Sequence, residues 1–153
     1  MRIFRKKIDR LLDRAAELGR RDVTMPIDIF SLARAFADLP DKANTIEVTR
    51  PLLSAHENAF VRRVFFTMIR FMDIDTRRCD LDATLLAGLK DASLWVRYDA
   101  AWIITNRPVS TPAIVSALQE LAAAADSDES DAVALKKQAT EALASLSNST
   151  GAP

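Results

Sequence analysis

The chain has 153 residues, 49% of them hydrophobic, and its 21 basic and 21 acidic residues cancel to zero formal charge. That length and composition suit one domain with a continuous core, assigned to 1–146, and the charge balance excludes bulk attraction to nucleic acid or anionic lipid as the basis of function. One cysteine, Cys79, forms no internal disulfide, and one histidine, His56, leaves few routes to catalysis.

The first ten residues are basic, but a charge every few positions leaves neither the apolar stretch of a signal peptide nor a membrane span. With the lone cysteine, this points to a cytoplasmic protein with no membrane partner. Ile3, Ile8, Leu11, Leu12, Ala15 and Leu18 then recur at helical spacing up to Gly19, which reads as a stop. A second helix follows Pro26 and carries Ile29, Leu32, Ala33, Phe36 and Leu39 until Leu39-Pro40-Asp41 breaks it. Further helices are expected over Ile46 to Ala55, Phe60 to Met72, Leu81 to Lys90, Leu94 to Arg107 and Pro112 to Ala124. Ser110 or Thr111 can cap the one that opens with Pro112. A last helix runs through Leu135, behind the acidic loop Asp126-Ser127-Asp128-Glu129-Ser130-Asp131. Residues 147–153, Ser-Asn-Ser-Thr-Gly-Ala-Pro, have the small polar composition of a flexible tail. Three glycines and no long alternating Val/Ile/Thr runs leave little from which to build a sheet, so the fold class is all-α, eight helices in four hairpins.

Two features organise these helices. Val61-Arg62 aligns with Val96-Arg97 at an offset of 35, and Val96-Arg97 with Leu135-Lys136 at 39, so three second helices share an aliphatic residue followed by a cation. Charge is also segregated: 16 basic against 11 acidic residues through Cys79, net +5, and 5 against 10 from Asp80 onward, net −5.

The stretch from Leu85 to Ala101 has an apolar helix that ends at Asp91-Ala92-Ser93, then a second helix with Val96-Arg97 and the pair Ala100-Ala101. It resembles a HEAT repeat, of the phycobilin-lyase type. The resemblance implies a right-handed α-solenoid of about four HEAT-like hairpins, with second helices lining a concave face and an Asp91 to Arg97 pairing that keeps the stack in register. It also implies a scaffold that binds rather than reacts, with compact bacterial immunity or regulatory proteins as examples of such use.

Winding Leu94 to Arg107 at 100° per residue puts Val96, Ala100, Ile103 and Ile104 on a core face. Trp95, Tyr98 and Trp102 fall on another, with Asp99 and Asn106 at its edge. The same exercise on Phe60 to Met72 buries Val61, Phe65, Met68, Ile69 and Met72 and turns Phe60, Arg63, Val64, Thr67 and Phe71 to the inner face. On the last helix the matching positions are Ala134, Lys137, Gln138, Glu141 and Ser145, small or polar. Rigid aromatics with polar tips beside arginines are the side chains that dominate protein-protein hot spots. The candidate protein-binding residues are therefore Phe60, Arg63, Thr67, Phe71, Trp95, Tyr98, Asp99, Trp102 and Asn106.

No catalytic residue, metal site or cofactor is expected. His56 sits in a turn beside Glu57 with no nucleophile fixed nearby, and one His with one Cys cannot furnish the N/S ligands of zinc. His56-Glu57 is similar to the His-Glu pairs with which HEAT-like deoxyhypusine hydroxylases hold two irons, but that family needs several pairs and this chain has one. Gly19, Gly88 and Gly151 are too far apart for a phosphate loop, and Cys79 lies in an Arg-rich turn as an incidental thiol. The expected function is that of a non-catalytic protein-protein interaction module, an adaptor, regulator or immunity-type inhibitor with an unidentified protein partner. The alternative is a nucleic-acid-binding HEAT-like module, more remotely a DNA glycosylase-like enzyme, since Trp95, Asp99 and Trp102 resemble the groove residues of alkylpurine glycosylases. The acidic second half opposes it.

Overall fold

The computed structural model describes residues 1–150, and among these it contains helices and no strand. Eight α-helices follow in order: α1 (Arg2–Leu18), α2 (Pro26–Ala37), α3 (Lys42–Thr49), α4 (Ala59–Phe71), α5 (Asp82–Leu89), α6 (Leu94–Asn106), α7 (Pro112–Ala122) and α8 (Ser130–Thr150). A π-helical turn, Arg50–Ser54, continues α3, and a 3₁₀ turn, Thr76–Arg78, precedes α5. The chain divides into two compact units, Met1–Ile74 and a second from Asp75 on.

In the first unit α2 packs along α4, α1 rests on both, and α3 with its π turn leans on α2 and α4. The helix starts follow local chemistry. Pro26 opens α2 at a position whose N–H would have no helical partner, and Asp41 caps α3 by accepting from Asn44 N at 3.0 Å. That cap starts α3 four residues before the apolar spacing suggests, and Lys42 Nζ, donating to the Ala37 and Leu39 carbonyls, closes the C-terminal end of α2. Pro51 explains the π turn. It has no N–H to return to the Glu47 carbonyl and its ring crowds that carbonyl, so the backbone widens by a residue instead of breaking. Side-chain hydroxyls take up carbonyls along this stretch, Thr49 Oγ1 donating to Thr45 O at 2.7 Å and Ser54 Oγ to Arg50 O at 2.7 Å.

The α3 to α4 turn is tied to the end of α1 by Asn58. Its Oδ1 accepts from Phe60 N at 2.8 Å, capping α4, while its Nδ2 donates to Gly19 O at 3.2 Å. Gly19 allows the approach: a Cβ there would lie 3.0 Å from Val61 Cγ2 and 3.2 Å from His56 Cε1. His56 Nδ1 accepts from Asn58 N at 3.0 Å, and Arg62 donates to the His56 and Glu57 carbonyls at 2.8 and 2.9 Å. The histidine is thus a turn residue. Asn58→Ala removes a cap and an interhelical bond together, so it is expected to lower the unfolding free energy by about 1–2 kcal/mol, read as a fall in the urea midpoint. An unchanged midpoint would show that Arg62 alone holds the turn.

In the second unit α5 and α6 form one pair and α7 and α8 another, with α5 against α7 and α6 against α8. Thr111 caps α7 through Oγ1, accepting from Ile114 N at 3.2 Å, and Pro112 occupies the first helical position. The α6 to α8 seam is lined by small residues: Ala100, Ala101, Ala139 and Ala142 have no accessible surface. Polar bonds also cross it. Gln138 Nε2 donates to Thr105 Oγ1 at 2.8 Å and Ser145 Oγ to Thr105 O at 2.7 Å. Gln138 and Ser145, read from the winding as positions of an open polar face, therefore pin α8 to α6. Helix α8 also continues through Ser147, Asn148 and Ser149 to Thr150, where composition suggests a loose end; residues 151–153 lie outside the described residues.

Candidate functional site

The candidate positions on α4 belong to a cluster shared with α2. Phe71 meets Phe30 edge-on at 6.5 Å between ring centroids, Arg34 lies over the Phe71 ring at 4.0 Å, and Arg63 reaches the Phe30 ring at 5.7 Å. These cation-π contacts couple two half-buried rings to two guanidinium groups. Phe60, Arg63 and Phe71 keep part of their surface accessible. Thr67 keeps none, so its place on the binding face is corrected to an interior position, and Val64 beside it is likewise fully buried. Phe30 and Arg34 are the functional-type residues missed by reading one helix at a time; their four-residue spacing on α2 is the available signal.

On α6 the two faces are sharply different. Val96, Ala100, Ile103 and Ile104 have no accessible surface, as the winding predicts, whereas Trp95, Tyr98 and Trp102 are half-buried. Trp95 and Tyr98 meet edge-on at 5.2 Å between centroids, the geometry favoured by ring quadrupoles. Asn106 is exposed and donates its Nδ2 to Trp102 O at 2.9 Å, closing the helix end next to the indole. Asp99 has no accessible surface, and its assignment as a binding residue is likewise corrected to a buried polar position. Asp91, proposed to pair with Arg97, directs Oδ1 to Ser93 N at 2.8 Å and so shapes the turn before α6, while Arg97 Nε is buried without a hydrogen-bond partner.

A groove of about 610 Å³ lies within the first unit, between α1 and the α3 helix with its π turn. Its walls are apolar, and Arg2 and Arg5 stand among its lining residues. In the second unit, Lys136 Nζ donates to Asp126 Oδ1 at 2.7 Å across the acidic loop and holds that exposed carboxyl below the usual carboxylate range. At the chain's midpoint Arg77 does the same to Asp75, first through its side-chain hydrogen bond at 3.1 Å. Among the described residues no group of three or more His, Cys, Asp or Glu is placed to hold a metal ion, and no helix is long and apolar enough to cross a membrane.

Comparison with protein-family models, with curated proteins and with solved structures finds no match to this chain.

Proposed function

We propose that the protein is a non-catalytic protein-binding module, its helical pairs serving as HEAT-like units of a right-handed solenoid and its half-buried aromatic side chains meeting a protein partner. Adaptor, regulator and immunity-type inhibitor are the roles that such a module fills. The observation that carries this reading is the division of α6 into a sealed aliphatic face and an aromatic one, where Trp95, Tyr98 and Trp102 keep accessible surface. Aromatic anchors of this kind bury much area on docking while losing few rotatable bonds. The pairing of α5 with α7 and of α6 with α8, first helix on first and second on second, supports the repeat reading within the second unit.

Immobilised protein exposed to native cell extract is expected to retain a protein at near-stoichiometric yield, and Trp102→Ala to reduce that retention at least about tenfold while far-UV circular dichroism stays unchanged. Retention of the same protein by Trp102→Ala would remove α6 from the interface. Capture of nucleic acid instead, falling steeply as salt is raised, would favour the second reading, a phosphate-binding module.

A further inference from the structure

The groove in the first unit occupies a seam whose counterpart within the second unit is closed by helix packing. In the second unit the leading helices of the two pairs, α5 and α7, pack on each other; in the first the leading helices are α1 and α3, and these are not closely packed on one another, although α2 joins both. What remains between them is the 610 Å³ groove. One wall is a stripe of α1, Phe4, Ile8 and Leu12, which follows one side of the helix for about two turns. The facing wall is Val48 and Leu52, one on α3 and the other on the π turn. Pro51 creates that turn, and the wider coil carries Leu52 into the groove wall with 51% of its surface still accessible. Wide turns of this type recur where a helix has been reshaped for a function.

Charge selects the occupant. Arg2 and Arg5 line the groove, with Asp9 the one acid among its lining residues, and Lys6, Lys7, Arg10 and Arg14 are exposed on the same helix. Residues 1–74 carry 14 basic against 10 acidic side chains, net +4. Two helical walls of this length fit a third helix laid in the trough, as in any helix-in-groove complex read through anchors at i, i+3 or i+4, and i+7. We propose that this groove binds an amphipathic helix of a partner protein, its apolar stripe seated between Phe4 and Leu12 on one side and Val48 and Leu52 on the other, and its flanking Asp and Glu side chains facing Arg2 and Arg5. The groove shares no residue with the aromatic face of α6, so the proposal stands or falls independently of that reading.

The test is a display selection on the full chain from a library of randomised helical peptides about 16 residues long, a length that supports a helix once docked. Enriched sequences are expected to share an apolar stripe flanked by Asp and Glu. A synthetic peptide of that consensus is expected to bind at least about tenfold more weakly to Leu52→Asp and to the double variant Arg2→Glu, Arg5→Glu, with Trp102→Ala binding like wild type. Its Lys-flanked counterpart should recover affinity for the charge-reversed double variant. Leu52 is exposed, so Leu52→Asp keeps the fold, which circular dichroism checks. Enrichment of no apolar-acidic consensus, or binding that ignores both variants, overturns the proposal. So does concentration-dependent dimerisation abolished by Leu52→Asp, which assigns the groove to a second copy. Co-sedimentation with anionic vesicles abolished by the same change would assign it to lipid instead.

Discussion

Phe65→Ala is expected to destabilise the first unit by about 3–5 kcal/mol, the usual loss for emptying a fully buried aromatic site. Phe65 has no accessible surface and meets Phe66 edge-on at 5.5 Å. It sits on α4, the helix against which α2 lays its own buried side chains, Ile29, Leu32, Ala33 and Phe36. Truncation removes the transfer energy of the ring, the edge-to-face term and the close packing around it, and a pair of helices held by side chains from both cannot collapse to fill the space. Against a total stability of roughly 5–15 kcal/mol for a domain of ordinary size, this is a large fraction. Urea unfolding followed by circular dichroism should show the midpoint falling with little change in slope. A loss below about 1 kcal/mol would mean that the α2 to α4 seam is plastic enough to close over the missing ring.

Ala139→Leu is expected to cost about 1–3 kcal/mol through the opposite mechanism, overfilling. Ala139 and Ala142 on α8 and Ala100 and Ala101 on α6 are sealed completely, and the two helices approach closely enough for Gln138 and Ser145 to reach Thr105. A leucine in that seam must either adopt a poor rotamer or push the helices apart, which would stretch both bonds to Thr105. Both tryptophans lie on α6, so their fluorescence reports on a displacement of that helix. The expected result is a lower urea midpoint accompanied by a shift of the native emission; Ala144→Leu, on an exposed position of the same helix, should leave both unchanged. Equal stability of Ala139→Leu and the wild type would show that the alanines are small by chance rather than by packing need.

The two substitutions mark what periodicity can and cannot reveal. Every residue assigned to the core face of α4 and α6 is buried, because a 3.6-residue repeat is a property of the chain alone and the apolar stripe must be covered by something. The starts at Pro26, Thr111 and Pro112 are equally local, resting on absent N–H groups and on a side chain that reaches its own backbone. The reach of the α3 helix was less legible. Its start depends on the Asp41 cap, and the π turn is a compromise between Pro51 and the packing of Leu53, which a pattern of apolar letters does not encode.

Side chains off the core stripe needed their neighbours. Thr67, Asp99 and Gln138 look like surface residues on their own helices, yet the first two are sealed and the third bonds across to Thr105. Trp95, Tyr98 and Trp102 occupy the same kind of position and keep accessible surface. Nothing in a single helix distinguishes the two groups, because burial outside the main stripe is set by which second helix arrives and how closely. The apolar groove is the same lesson in reverse. Ile3, Ile8 and Leu12 read as part of an ordinary buried stripe, but α1 and α3 do not close on each other: Ile3 is exposed, and Leu12, with Phe4 beside that stripe, is left lining a trough. Helix identity, helix ends and the core stripe were determined by the chain itself, through local hydrogen bonding and periodic hydrophobicity. Which remaining surfaces are sealed and which stay open was decided only by tertiary packing, since a helix carries no information about the distance at which its neighbour will stand.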